Sequence, residues 1–363
     1  MITEKINIYI KNFERKRKML RKILICFTTI LTSLSFLPNF SSAVTNKIVL
    51  GYYIDDPSSA GSFKSNFKYM NQLATDTYTL NSSGNIIGSI PKSMINLANS
   101  NHIKTFAVIS NFGKTNWDAA LAHKILSNTT IRKNLITNLV KLARSEQYKG
   151  INIDFEGLLP KDRKLFSSFI QELSKKLSEN NYLTMVSVPA KEKDDPSDSW
   201  SGAYDYKSLG KSANYIQVMT YDETGPWWNA PGSVASMPWL EASLKYTVKT
   251  INPKKVLMGI AAYGNDWNIT TGNIEDNRQV PLSEIPQLIK STGATPVRDK
   301  VSGSMYFNYQ DQNGLTHEVW YDDSASISQK AHSTIKYRLG GISVYAIGME
   351  GSDFWNSLHK GLK

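Results

Sequence analysis

From about residue 47 onward, short apolar runs rich in β-branched and aromatic residues alternate with stretches whose apolar positions recur at helical spacing. The runs predict strands at Lys47–Ile54, Asp76–Leu80, Thr105–Ser110, Gly150–Glu156, Leu183–Pro189, Tyr215–Tyr221, Val256–Ala261 and Gly341–Ile347. Helices are predicted between them. Over Thr130–Arg144, Ile131, Leu135, Ile136, Leu139 and Val140 share one face. Over Lys161–Asn180 the stripe is Leu165, Phe166, Phe169, Ile170, Leu173 and Leu177. Eight strands alternating with helices predict an α/β fold, a (β/α)8 TIM barrel. A doubly wound sheet is the alternative, but no glycine-rich phosphate turn follows the first strand. The gap from the seventh strand to the eighth is about 85 residues, more than one helix and two loops require. It predicts a small α+β insertion after the seventh strand, over about residues 265–321. Loops that follow barrel strands open on the face where active sites sit, so the insertion is expected to wall one side of a cleft.

The N-terminus follows a different pattern. Arg15-Lys16-Arg17-Lys18 and Arg21-Lys22 precede an apolar run from Ile23 to Leu37, and Ser41-Ser42-Ala43 then supplies small residues. This is the layout of a secretory signal peptide over residues 1–43, with Met19 as an alternative start. An apolar core of about 15 residues is short for a membrane span of about 20, although retention as an anchor is the other reading. The expectation is a secreted protein with no stable membrane insertion after cleavage. Cys26, the single cysteine, lies inside this segment. The mature chain, residues 44–363, would then have no thiol catalysis, disulfide or cysteine–zinc site.

Composition narrows the class further. Hydrophobic residues at 41% and charged residues at 20% exclude a disordered, collagenous or coiled-coil chain. The formal charge is +11, but residues 1–43 hold eight Lys/Arg against two Glu, a net of +6 that leaves +5 for the remainder. That excess suits an anionic polymer and is too small, without a basic stripe or motif, to indicate nucleic acid. The five His are scattered, and no metal or cofactor is expected. Gly113-Lys114-Thr115 lacks the first glycine of a phosphate loop, and no G-x-S-x-G elbow exists.

The chemistry is concentrated in Tyr148-Lys-Gly-Ile-Asn-Ile-Asp-Phe-Glu-Gly157. Side chains alternate faces along a strand, so Ile151, Ile153 and Phe155 point to the helix layer while Asn152, Asp154 and Glu156 point to the barrel axis. An inward polar ladder is costly unless used or fully hydrogen-bonded. Carboxylates two residues apart couple their titrations, and one charge keeps the other group protonated for general-acid work. A pair that merely stabilises a barrel layer is the other reading of a lone D-x-E. The fourth-strand position and the flanking glycines favour chemistry.

This segment resembles the D-G-x-D-x-D-x-E signature of family 18 glycoside hydrolases, the chitinase-type barrels. Gly150-Ile-Asn-Ile-Asp-Phe-Glu156 is most similar to the variant in bacterial spore-germination and cortex-lytic N-acetylglucosaminidases. Lys149 replaces the first acid of the signature. Val49–Tyr53, Val186–Lys191, Met219–Asp222, Pro231–Ser236, Trp239, Gly259–Trp267 and Val319–Asp323 extend the likeness to about Gly348. The usual Trp at the end of the eighth strand is replaced by Tyr345, which offers less stacking area. The peptidoglycan-binding repeats of cortex-lytic relatives are not found in this sequence.

The resemblance implies substrate-assisted, retaining cleavage of β-1,4 bonds next to N-acetylglucosamine. Glu156 would protonate the glycosidic oxygen and later activate water. Asp154 would orient the acetamido N–H, Tyr221 would hydrogen-bond the acetamido oxygen, and Asp222 would contact the sugar. Asn152 would sit in the network behind Asp154, with Met219 and Tyr345 beside the sugar. Trp227, Trp228, Trp239 and Trp320 are candidate stacking residues. The adjacent pair Trp227-Trp228, in a Gly/Pro-flanked loop, is the best cleft wall because both rings cannot easily be buried. The implied partner is an N-acetylglucosamine polysaccharide, either peptidoglycan of the cell wall or spore cortex, or chitin, bound by a monomer. A silent lectin is the non-enzymatic alternative, which typically requires loss of the acid at position 156.

Overall fold

The structure, a computed structural model, describes residues 47–363. The signal segment and Cys26 lie outside the described residues. Eight parallel strands form the barrel: β1 (Ile48–Tyr53), β2 (Gln72–Leu80), β4 (Lys104–Ser110), β5 (Gly150–Asp154), β6 (Leu183–Pro189), β7 (Tyr215–Met219), β8 (Val256–Ala261) and β14 (Gly341–Tyr345). Their order runs β1-β14-β8-β7-β6-β5-β4-β2, and β2 pairs again with β1 to close the ring. A short strand β3 (Ile86–Gly88) folds back antiparallel on β2.

The alternation read from the fourth barrel strand, β5, decides which residues fill the two layers. Ile151, Ile153 and Phe155 are fully buried in the outer core. Phe155 stacks on Phe166 and Phe169 of the helix Arg163–Ser178, at centroid distances of 6.3 and 5.9 Å. Burying each such side chain contributes about 1.5–3 kcal/mol. The helix Thr129–Ser145 buries Leu135, Ile136, Leu139 and Val140 and is capped by Asn128, whose side chain accepts from the Thr130 and Ile131 amides at 3.0 Å. Inside the barrel, an apolar cluster of Leu50, Phe106, Val108, Met185 and Leu257 is joined by polar residues that bond to one another.

The long gap before the last strand holds an antiparallel sheet of five strands in the order β10-β9-β13-β12-β11. These are β9 (Tyr263–Asn268), β10 (Arg278–Pro281), β11 (Val297–Arg298), β12 (Met305–Gln310) and β13 (Thr316–Tyr321), with the helix Ile285–Thr292 between β10 and β11. The sheet starts two residues earlier than the predicted insertion, because Ala262 alone separates β8 from β9. Three barrel strands end earlier than their apolar runs. β5 stops at Asp154, β7 at Met219 and β14 at Tyr345. β2 begins at Gln72 rather than Asp76, since Gln72–Thr75 pair with both neighbours.

β1 pairs with β14 through Ile48–Gly341, and a Cβ at Gly341 would strike the Ile48 carbonyl. Gly341→Ala is expected to destabilise the fold by about 1–3 kcal/mol through overpacking at this joint, measured by urea unfolding. An unchanged midpoint would show that the barrel closes without the close approach.

Candidate active site

The carboxyl ends of the barrel strands bring together four acids from separate elements. Asp154 is the last residue of β5, Glu156 follows two residues later, Asp76 lies on β2, and Asp222 sits three residues beyond β7. The Asp154 side chain is buried among these groups, and its Oδ1 has no hydrogen-bond partner. Burial, then the Asp76 charge, pushes the Asp154 carboxyl well above the usual carboxylate range, with a hydrogen bond from Ser187 opposing. Glu156 is also raised well above its ordinary range. Burial is the largest cause, followed by the charges of Asp154, Asp222 and Asp76. Burial lifts Asp76 to about 6 and Asp222 to about 6, while Tyr345 and Tyr263, respectively, hold these groups down by hydrogen bonding.

Behind the acids lie two neutral hydrogen-bonded groups. The Tyr52 hydroxyl donates to Asn152 Oδ1 at 2.6 Å, and Asn152 Nδ2 donates to Ser187 Oγ at 3.0 Å. Gln217 Nε2 donates to Ser343 Oγ at 3.1 Å and to the Tyr221 hydroxyl at 3.3 Å. Asn152 is thus a fully buried member of the network and not a surface contact. Tyr221 is buried and stacks on Tyr345, with centroids 6.0 Å apart, and Tyr345 also meets Tyr52 at 5.7 Å. Met219 and Tyr345 pack against the cluster of Tyr221, Val234, Ala261 and Tyr263. The Tyr263 hydroxyl donates to Asp222 Oδ1 at 2.7 Å, which fixes an aspartate whose backbone sits at φ 62°.

The structure treats the four tryptophans differently. Trp227 and Trp228 are 55% and 51% exposed, in a loop that the inserted sheet braces. Trp267 Nε1 donates to the Trp228 carbonyl at 3.1 Å, Asn277 Nδ2 to the Pro226 carbonyl at 2.9 Å, and Asn265 Nδ2 to the Thr224 carbonyl at 3.1 Å. Two exposed rings on a pinned backbone make a stacking surface with little conformational freedom left to lose. Trp239 packs against the main core from the helix Met237–Thr250, and Trp320 stacks on Tyr306 at 4.9 Å within the inserted sheet.

Several site residues escaped the sequence reading. Asp76, Tyr52, Ser187, Gln217 and Ser343 come from five different strands and meet only when the barrel closes. Asp76 had one signal, an acid within an apolar run, which reads equally well as a strand boundary. Phe112, exposed, packs edge-on against Trp117 at 5.1 Å. Trp117 also flanks the Gly157 turn that follows Glu156, its Cβ 3.2 Å from where a side chain at Gly157 would begin.

Comparison with known proteins agrees with this geometry. The sequence model described as Glycosyl hydrolases family 18 matches residues 7–350. The chain is 43% identical over 318 residues to the "Uncharacterized glycosylase YvbX" of Bacillus subtilis, covering 87% of this chain and 92% of that protein. It is 28% identical over 267 residues to the "Cortical fragment-lytic enzyme" of Bacillus anthracis, covering 72% of this chain and 61% of that longer protein. Among solved structures, a chitinase from Chromobacterium violaceum superposes with a TM-score of 0.82 at 34% identity, covering 87% of this chain and 99% of that one. The spore cortex-lytic enzyme SleL of Bacillus megaterium gives a TM-score of 0.80 at 25% identity, covering 87% of this chain and 74% of that one. The chain belongs to glycosyl hydrolases family 18 and is a glycoside hydrolase built on a (β/α)8 barrel.

Proposed function

We propose that the protein is a secreted hydrolase of β-1,4 bonds next to N-acetylglucosamine in peptidoglycan, acting by substrate-assisted retention. The observation that carries this reading is Asp154 Oδ1, a buried carboxylate oxygen without a partner among the described residues, beside Glu156, whose protonated form burial and like charge favour. A buried acceptor left open is expensive unless a ligand satisfies it. The N–H of a 2-acetamido group on the sugar is the donor that fits.

In the first step the Glu156 proton passes to the glycosidic oxygen while the acetamido carbonyl oxygen attacks the anomeric carbon. The bond from that carbon to the glycosidic oxygen breaks, the leaving sugar departs as an alcohol, and an oxazolinium ring forms. Asp154 accepts from the acetamido N–H and balances the positive ring, and the Tyr221 hydroxyl holds the acetamido oxygen. In the second step Glu156, now a carboxylate, takes a proton from water, whose oxygen adds to the anomeric carbon. The ring opens and the product keeps its configuration. Met219 and Tyr345 pack beneath the sugar, Asp222 contacts it, and the Trp227–Trp228 loop supplies stacking for the rest of the glycan.

Likeness to a cortical fragment-lytic enzyme and to a spore cortex-lytic enzyme supports peptidoglycan. The superposition on a chitinase favours chitin as the second reading. Digestion of cortex peptidoglycan and chitin oligomers side by side, with products read by mass spectrometry, separates them. Fragments ending in reducing N-acetylglucosamine from cortex alone are expected. Cleavage confined to chitin oligomers would move the substrate to chitin, and binding without cleavage would move the protein to the lectins. Glu156→Gln is expected to lower turnover by at least about 100-fold with the fold intact. Near-normal turnover by that variant would remove Glu156 from the acid role.

The charge cluster also predicts a pH dependence. Glu156 must be protonated in the first step, so activity falls as pH rises through its elevated pKa. The Asp76 charge raises both Glu156 and Asp154. Asp76→Asn removes that charge and is expected to move both limbs of the kcat/KM profile to lower pH. Limbs that stay in place would show that Asp76 does not act on the pair.

A further inference from the structure

Glu156 stands where no sheet hydrogen bond can hold it. The β5 ladder ends at the pair Ser110–Asp154 on the β4 side and at Ile153–Val186 on the β6 side. Phe155 and Glu156 therefore lie beyond both neighbours, and Gly157 turns the chain away at φ 62°. A segment in this position is ordinarily satisfied by water and mobile. Here two buried side chains from other elements take the place of the missing strands.

Asn111, directly after β4 and fully buried, pairs with Glu156 as a strand would. Its Oδ1 accepts from the Glu156 N–H at 2.8 Å, and its Nδ2 donates to the Glu156 carbonyl at 2.8 Å. The second Nδ2 hydrogen reaches the Asp118 carbonyl at 3.2 Å, and the Asp118 N–H donates back to the Asn111 carbonyl at 3.0 Å. On the opposite side the buried Tyr204 hydroxyl donates to the Phe155 carbonyl at 2.7 Å. Tyr204 is fixed in turn, because Lys191 Nζ donates to its carbonyl at 2.6 Å while resting 4.8 Å from the Tyr206 ring centroid.

We infer that Asn111 and Tyr204 are positioning residues that hold the backbone of Glu156 so that its carboxyl meets the glycosidic oxygen. The inference rests on Glu156 being the general acid. Proton transfer needs the acid within hydrogen-bond reach of the leaving oxygen, and a displacement of about 1 Å costs on the order of 100-fold in rate. Neither residue touches the sugar or the reacting atoms in this account, so removing them affects the acid step and leaves binding alone.

The test compares two leaving groups. A sugar alcohol needs a proton to depart, whereas the acidic phenol of a 4-methylumbelliferyl chitobioside leaves with little help. Wild-type protein, Asn111→Ala and Tyr204→Phe are assayed on this glycoside and on the glycan that the wild type cleaves, with thermal melts in parallel. For Asn111→Ala, kcat/KM, which reports only the steps through departure of the leaving group, is expected to fall about 30- to 100-fold on the glycan and less than about threefold on the aryl glycoside. Tyr204→Phe, which loses one hydroxyl and keeps its packing, is expected to show the same contrast at about tenfold on the glycan. It decides the matter alone if Asn111→Ala gives no cooperative melt. Equal losses on both substrates, or wild-type rates on both, would overturn the positioning role while leaving the reaction standing. A wild-type protein that cleaves neither would overturn the reaction and the role together.

Discussion

Four carboxyl groups share one largely buried pocket at the mouth of this barrel, and they cannot all be ionised there. Burial disfavours the charged form of each, and each charge that remains disfavours its neighbours. The result is a graded set. Asp76 and Asp222, each held by a tyrosine hydroxyl, reach about 6. Asp154 reaches about 7, and Glu156 is pushed well above its ordinary range under the influence of all three others. A cluster of this kind costs folding free energy near neutral pH. Its retention in the middle of a well-packed barrel is a reason to read it as chemistry.

The surroundings are arranged to make that pocket tolerable and rigid. Tyr52, Asn152, Ser187, Gln217, Ser343 and Tyr221 bring neutral donors and acceptors that satisfy one another without adding charge. The inserted sheet pins the backbone of the exposed tryptophan pair through Trp267, Asn265 and Asn277.

The sequence made the barrel legible because each strand is a short apolar run and each following helix carries its own stripe. The fourth barrel strand, β5, was legible in finer detail, since the alternation of Ile151, Ile153 and Phe155 with Asn152, Asp154 and Glu156 can be read from spacing alone. Strand ends were less so. Phe155 continues the apolar pattern although the ladder has stopped, because its ring still packs on Phe166 and Phe169. Asp76, Asn111 and Tyr204 carry no local periodicity that marks them. Their placement depends on which strands pair side by side, since β4 and β6 flank β5 and β2 lies next to β4. Trp239 and Trp320 are half-buried, the first against the main core and the second stacked on Tyr306.

If the substrate supplies its own nucleophile, the acetamido group is indispensable and no protein carboxylate can replace it. The measurement that addresses this directly is the kcat/KM of two otherwise identical aryl glycosides, one with a 2-acetamido group on the sugar to be cleaved and one with a 2-hydroxyl. Loss of about 1,000-fold or more for the 2-hydroxyl sugar is the predicted result, corresponding to the effective molarity of an oriented intramolecular nucleophile. Comparable rates on the two would contradict it and would make one of the clustered carboxylates the nucleophile.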